Sequence, residues 1–254
     1  MKYLGICLLS VVPIRAEPSE RSEMVSQLLF GEHFIIIEQN EKWLHIRSEI
    51  DGYQGWVSSN MVRDLPDDFS NNGLPNVVRS PYIIYAADDR QIHLPGGSLI
   101  PCKSENTSFC IANVRYAFHS GIPQIDNSSL STLAKQYLGA PYLWGGKTIF
   151  GIDCSGLVQV ICRMAGLWLP RDARQQVLSG NETDFENAKT NDIAFFCDNN
   201  GNITHVGIVC DSNKIIHASG YVRIDRFDKN GIFNEAENRY THRLHSVRKF
   251  FNEN

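Results

Sequence analysis

Cys154 follows a glycine-flanked turn, Gly151-Ile152-Asp153, and opens an apolar run, Ser155-Gly156-Leu157-Val158-Gln159-Val160-Ile161-Cys162-Arg163-Met164. That order predicts a turn leading into a helix, with Cys154 at or near its N-terminus. Unpaired backbone N–H groups and the helix dipole both favour a thiolate at such a position. A thiol at its ordinary pKa is only slightly ionised near neutral pH, so a cysteine nucleophile also needs a base, usually a histidine. Two strand-like runs downstream carry one histidine each: Thr204-His205-Val206-Gly207-Ile208-Val209 and Ile215-Ile216-His217-Ala218-Ser219-Gly220. The separations are 51 residues (205 − 154) and 12 residues (217 − 205), so folding rather than helical spacing must bring the three together. Cysteine, histidine and histidine can supply a nucleophile, a base and an orienter. Cysteine is also a common core residue, and strand histidines are often simply packed. The bare residues leave catalysis and packing both open.

The elements that would hold these residues change character along the chain. Leu130, Leu133, Ala134 and Leu138 have helical spacing, with Ser128 or Ser129 able to cap and Gly139-Ala140-Pro141 to stop the helix. The Cys154 helix follows, then a helix predicted from Pro170 to Leu178 with proline in its first turn. Strands are predicted at 192–197, 203–210, 214–217, 221–227 and near 244–250. Helices followed by antiparallel strands make an α+β domain. Upstream, residues 1–66 show short strands between turn signals: β-branched Glu32–Glu38, alternating Lys42–Arg47, and Asp51–Val57 after a turn. This is the patterning of a small all-β barrel. Residues 65–76, rich in Pro, Asp, Asn and Gly, read as a linker. Short strands return over 77–123, at Tyr82–Tyr85, Ser98–Cys102 and Phe109–Ala112, and predict a second, divergent barrel.

Composition narrows the classes. The chain has 254 residues, 43% hydrophobic and 20% charged, an ordinary globular balance with enough length for two or three domains. A net charge of −4 gives no reason to expect nucleic acid or an anionic membrane as partner. Eight histidines and seven cysteines occur without a CxxC or HExxH pattern, so no metal or other cofactor is expected. Cys102 and Cys110 could pair across a hairpin, whereas Cys162, Cys197 and Cys210 sit in apolar patterns. Buried, reduced thiols lean towards a reducing compartment. The run Leu4–Val12 superficially resembles a signal peptide but is short and lacks a small-residue cleavage site. It is read as the first strand of a folded domain, and no other stretch is long enough to span a bilayer.

Six ordered motifs give a resemblance. They are Tyr142-Leu143-Trp144-Gly145-Gly146, Gly151–Gly156, Leu169-Pro170-Arg171-Asp172, Asn191–Phe196, His205-Val206-Gly207-Ile208 and Ile216-His217-Ala218. Together, over about residues 126–250, they resemble the NlpC/p60 cysteine peptidases. Arg15-Ala16-Glu17-Pro18, Trp43-Leu44-His45-Ile46 and Gly52–Val57 resemble a bacterial SH3-like domain. The resemblance implies an α+β, papain-like catalytic domain at 126–254, preceded by SH3-like barrels at 1–66 and 77–123. It implies Cys154 as nucleophile, His205 as general base, His217 as its orienter, and Tyr142 beside the thiol or oxyanion. The more specific resemblance is to peptidases that cut between D-glutamate and the diamino acid of muropeptides with a free L-alanine amine. It implies a pocket containing Asp153, Ser155 and Trp144, closed by the first barrel with Tyr53 and, more loosely, Glu23. Asp153 is the carboxylate expected to meet the ammonium. Two departures stand out: Ala173 occupies a position often held by serine, and Asn191-Asp192 replaces Gly-Asp.

The expectation is a cysteine endopeptidase that hydrolyses the γ-D-glutamyl–L-diamino acid bond of murein tripeptides or tetrapeptides. It is expected to act as a cytoplasmic monomer in cell-wall recycling, with export to the periplasm or wall as the alternative. The rival readings are a remodelling hydrolase of intact wall with barrels as binding modules, an acyltransferase or amidase on the same Cys-His core, and a non-enzymatic wall-binding protein.

Overall fold

A computed structural model of the chain describes residues 4–65, 76–79, 82–87, 90–100, 108–111, 114–118 and 128–250. The chain forms two compact units, Met1–Asp126 and Asn127–Asn254.

The first unit opens with seven strands: β1 (Leu4–Ile6), β2 (Val11–Arg15), β3 (Met24–Leu29), β4 (His33–Gln39), β5 (Trp43–Ser48), β6 (Gln54–Ser58) and β7 (Arg63–Asp64). They form one antiparallel sheet in the order β3-β2-β6-β5-β4-β1-β7. Alternation sends Val12 and Ile14 of β2, and Leu44 and Ile46 of β5, to one buried face, where they meet Leu28 and Phe34. The apolar run at the N-terminus is part of this sheet, and Ile6 and Cys7 are fully buried. Six more strands follow: β8 (Asn76–Val77), β9 (Tyr82–Ala87), β10 (Arg90–Pro95), β11 (Leu99–Ile100), β12 (Ser108–Ile111) and β13 (Val114–Phe118). They make a four-stranded sheet, β10-β9-β13-β12, and a separate pair, β11-β8. Ile6, Phe30 and Leu65 share an apolar cluster with Leu94, Phe109 and Tyr116, so a common core runs across the boundary expected near residue 70. The expected linker core, residues 66–75, and Cys102 with its suggested pairing to Cys110 lie outside the described residues.

The second unit begins with α1 (Leu130–Lys135), where the Ser129 side chain accepts from the Thr132 N–H. The helix is shorter than its apolar spacing predicts. Its last bonds tighten from Tyr137 to Ala134 and from Leu138 to Lys135, and Gly139 turns away at φ +86°. A two-stranded turn of β14 (Lys147–Thr148) and β15 (Gly151–Ile152) leads into α2 (Cys154–Met164). Every residue of α2 is buried. Burial of Leu157, Val158, Val160, Ile161 and Met164 contributes about 1.5–3 kcal/mol apiece, which fixes the helix bearing Cys154 in place. The next helix, α3 (Ala173–Gln176), starts three residues later than its proline predicts, because Arg171 is drawn into the interior.

Seven antiparallel strands complete the unit: β16 (Asn181–Thr183), β17 (Ile193–Cys197), β18 (Ile203–Asp211), β19 (Lys214–Ser219), β20 (Tyr221–Asp228), β21 (Gly231–Asn234) and β22 (Arg239–Lys249). Their order is β16-β22-β17-β18-β19-β20-β21, and β22 also pairs with β21. The first half of β22 lies along β21 and the second along β17, so the sheet closes on itself. Helix α2 packs against β18 and β19. The strands of the ring bury a cluster that includes Phe196, Val209, Phe227 and Ile232.

Candidate active site

Asp153 caps α2. It has extended backbone geometry, and its Oδ1 accepts from the Gly156 N–H at 2.7 Å. The Gly145-Gly146 turn lies directly against this first helical turn. A Cβ on Gly156 would stand 2.3 Å from the Gly146 carbonyl oxygen, so only glycine fits there. These contacts hold Cys154 at the helix start, as its surroundings in the sequence predict.

The thiol is buried. Backbone N–H groups of Ser155 and Val206 bond to it and favour the thiolate. Burial outweighs them, and the Asp153 charge adds to it, so the Cys154 thiol is pushed up to about 12. Desolvation thus opposes the pull of the helix N-terminus towards a thiolate. With burial acting against ionisation, Cys154 depends on a base to take its proton during attack. The Val206 bond places the sulfur beside the residue that follows His205.

His205 and His217 are brought together on β18 and β19. His205 Nε2 lies 2.8 Å from His217 Nδ1, with the rings edge-on and centroids 5.0 Å apart. His217 Nε2 in turn lies 3.0 Å from Asp225 Oδ2 on β20. His205 is held well below the ordinary histidine range, first by burial and then by the charges of His242 and His217. His217 is also lowered by burial, against an opposing pull from Asp225. Both are neutral imidazoles near neutral pH, and a neutral imidazole can accept a proton. The nitrogens of His205, His217 and His242 lie within 4.8 Å of one another. Two of them face each other, and His242 Nδ1 faces Thr241 Oγ1 at 2.8 Å, an arrangement of hydrogen bonds rather than ligands converging on an ion.

The residues expected to line a substrate pocket fall out as follows. Asp153 Oδ1 accepts from Arg171 Nη1 at 3.0 Å and from Ser155 Oγ at 3.3 Å. Its Oδ2 accepts from Arg171 Nη2 at 2.5 Å and from the Gly145 N–H at 2.8 Å. Arg171 also donates to Ser155 Oγ at 2.8 Å, and Gln176 Nε2 donates to the Ser155 carbonyl at 3.0 Å. Asp153 and Ser155 thus form a buried polar knot with Arg171, and the guanidinium offsets the charge of the carboxylate that was expected to meet an ammonium. Tyr142 is half-buried next to the site. Burial, then the Cys154 and Asp153 charges, push its phenol up to about 12, so it is a hydrogen-bond donor at every working pH. Trp144 is 59% exposed. In the first unit, Tyr53 is partly buried with its N–H on Asp51 Oδ1 at 3.1 Å, and Glu23 is exposed.

Sequence reasoning missed three residues. Arg171 stands in the Leu169–Asp172 motif, but nothing in the sequence pairs it with Asp153. Asp225 stands on the same face as Arg223, whose cross-strand partner is His217, so closing the β19–β20 hairpin at Gly220 finds it. His242, on β22, stacks on His205 with centroids 4.0 Å apart. No local signal marks it.

Comparison with known proteins gives this geometry a family. The NlpC/P60 family model matches residues 139–244. A probable endopeptidase of Haemophilus influenzae is 34% identical over 124 residues, 48% of this chain and 75% of that protein. The chain belongs to the NlpC/P60 family. It is accordingly a cysteine peptidase. This NlpC/P60 chain also carries a match to the bacterial dipeptidyl-peptidase Sh3 domain over residues 14–61. It is 25% identical over 211 residues to the gamma-D-glutamyl-L-lysine dipeptidyl-peptidase of Bacillus subtilis, covering 76% of this chain and 71% of that one. A crystal structure of an NlpC/P60 family protein from Bacillus cereus superposes with a TM-score of 0.80 at 18% identity, over 97% of this chain and 99% of the other. That likeness shows a shared fold, with an SH3-like N-terminal part and a papain-like catalytic domain.

Proposed function

We propose that this protein is a cysteine endopeptidase that hydrolyses the γ-D-glutamyl–L-diamino acid bond of short murein peptides bearing a free N-terminal L-alanine. The observation that carries the reading is the hydrogen-bonded line from His205 through His217, set beside a capped Cys154, in a chain whose relatives across both units have γ-D-glutamyl peptidase names. In this reading His205 takes the Cys154 proton as sulfur attacks the γ-carbonyl. The Tyr142 hydroxyl and the Cys154 N–H donate to the developing oxyanion. Collapse breaks the C–N bond, and His205 returns the proton to the departing amine of the diamino acid. A water molecule, deprotonated by the same histidine, then opens the thioester and restores the thiol.

We assign substrate binding to Asp153, Ser155 and Trp144, and more loosely to Tyr53 and Glu23, with Asp153 as the carboxylate for the amine. We further read residues 1–66 and 77–123 as two SH3-like barrels, the enzyme as a monomer, and the compartment as cytoplasmic, where released peptides are recycled. The test is cleavage of L-Ala-γ-D-Glu-meso-diaminopimelate and its L-lysine counterpart, each beside an N-acetylated twin, with Cys154→Ala as control. Cleavage of only the free-amine peptides, lost in the variant, supports the reading. Equal cleavage of the acetylated twins overturns amine recognition and favours remodelling of intact wall.

A further inference from the structure

The carboxylate of Asp225 sits behind His217, and the hydrogen-bond chemistry of the line runs from it. Asp225 Oδ2 accepts from Arg223 Nε at 2.9 Å and lies 2.9 Å from Arg223 Nη2. The same oxygen lies 3.0 Å from His217 Nε2. The His217 side chain is fully buried and that of Asp225 is 13% exposed. Burial raises the Asp225 carboxyl, but the His217 hydrogen bond and the neighbouring positive charges outweigh it, so the group falls below its ordinary range and stays ionised. An ionised carboxylate only accepts. The proton between Asp225 and His217 must therefore be on His217 Nε2, which leaves His217 Nδ1 with a bare lone pair. That lone pair faces His205 Nε2 at 2.8 Å, so the proton of this second bond is on His205 Nε2. A neutral imidazole has one N–H, so His205 Nδ1 is the unprotonated nitrogen.

The two imidazoles admit a second arrangement with the same heavy-atom distances. If His217 carried its proton on Nδ1, it would donate to His205 Nε2, and His205 would hold its own proton on Nδ1. The base would then be blocked at that nitrogen. Nothing in the His–His contact alone chooses between the two. Asp225 chooses, because only the first puts a proton on the His217 nitrogen that faces its carboxylate.

We infer that Asp225, pinned by Arg223, is a positioning residue that sets the tautomers of His217 and His205 and so keeps His205 Nδ1 free to act as the base. The inference rests on the Cys154, His205 and His217 roles proposed above. Asp225 also stabilises the imidazolium that forms on His205 when it takes a proton, through one intervening ring. Replacing an aspartate that touches the base directly costs about 10⁴-fold in triad hydrolases. One ring further out, a loss on the order of 10–100-fold is expected, as for outer hydrogen-bond partners elsewhere.

The experiment uses the full chain in two arms. In the first, Asp225→Asn is assayed on the free-amine peptide. The expected result is a kcat lower by about 10–100-fold at unchanged KM, with partial recovery in Asp225→Glu. Unchanged kcat, or a loss confined to KM, overturns the inference. In the second, the imidazole ¹⁵N shifts of His205 and His217 are read in Cys154→Ala, with no substrate and no turnover. Both rings are expected as Nε2–H tautomers at pH 7.5, shifting to a mixture on adding Asp225→Asn. Finding His217 as the Nδ1–H form in Cys154→Ala overturns the inference whether or not the Asp225 variants fold. If no peptide is cleaved by the wild type, the substrate reading fails, and this second arm still decides the role of Asp225.

Discussion

Replacing His242 with glutamine should make the protein resist acid better. His242 stacks on His205 with centroids 4.0 Å apart and meets Phe196 edge-on at 6.1 Å. Burial, and then the charges of His217 and Arg223, hold its pKa down at about 4, against a smaller opposing pull from Asp225. In the unfolded chain the ordinary value is 6.5. Between these two values the unfolded state binds a proton at His242 and the folded state does not. The contribution to stability is therefore fully present above pH 6.5 and is lost as pH falls to about 4. The gap of 2.5 units (6.5 − 4) at about 1.4 kcal/mol per unit comes to about 3 kcal/mol. His205 and His217 are also lowered and add losses of the same sign. Carboxylates titrate near the bottom of this window in both proteins and cancel in the comparison. Urea unfolding followed by tryptophan fluorescence at pH 7 and pH 4 measures the effect. Between those pH values His242→Gln should lose about 3 kcal/mol less than the wild type. Removing His242 also relieves His205 of a repelling charge, so the acid limb of kcat/KM should move to higher pH. Equal acid losses in the two proteins would refute the reasoning.

Three further outcomes are expected. Arg171→Met leaves Asp153 buried without its guanidinium and should cost about 3–5 kcal/mol by chemical denaturation. A cost below about 1 kcal/mol would show that the Gly145 and Gly156 N–H groups and the Ser155 hydroxyl satisfy the carboxylate. Gly156→Ala drives a Cβ to 2.3 Å from the Gly146 carbonyl oxygen. It should destabilise by about 1–3 kcal/mol despite alanine's helix preference, read as a lower thermal midpoint. Tyr142→Phe removes a donor beside the thiol and should lower kcat by about 10²-fold with little change in KM. An unchanged kcat would assign Tyr142 to packing.

Much of the catalytic unit is legible because local rules and tertiary structure agree there. The Gly151–Gly156 turn, the apolar run after it and the histidine-bearing strands each satisfy one periodicity, and each forms the element that periodicity predicts. The misreadings have physical causes. α3 is short because Arg171 gives up helical geometry to reach Asp153. The sequence shows the helix terminus that favours a thiolate at Cys154 but not the burial that opposes it, because burial is set by what packs over the thiol. His242 stands on β22, 37 residues after His205 (242 − 205) and two strands away across β17, and no spacing in the chain encodes that meeting. In the first unit, the pattern of short strands is legible, but the shared cluster of Ile6, Phe30, Phe109 and Tyr116 is not, because alternation reveals which face is apolar and not what covers it.

Closure of the catalytic sheet has a consequence for recognition and for solubility. An open sheet ends in strands whose unpaired N–H and C=O groups can template another chain, either a substrate laid down as an extra strand or a second molecule that nucleates aggregation. Here β22 joins β17 to β21, and beyond that ring the described residues offer one peripheral strand, the three-residue β16. A peptide linked through a γ-carboxyl has extra methylenes in its backbone and cannot keep ladder register with an α-linked strand. Closing the ring through β22 therefore narrows a mode of binding that such a substrate could not use, and shifts selection towards side chains.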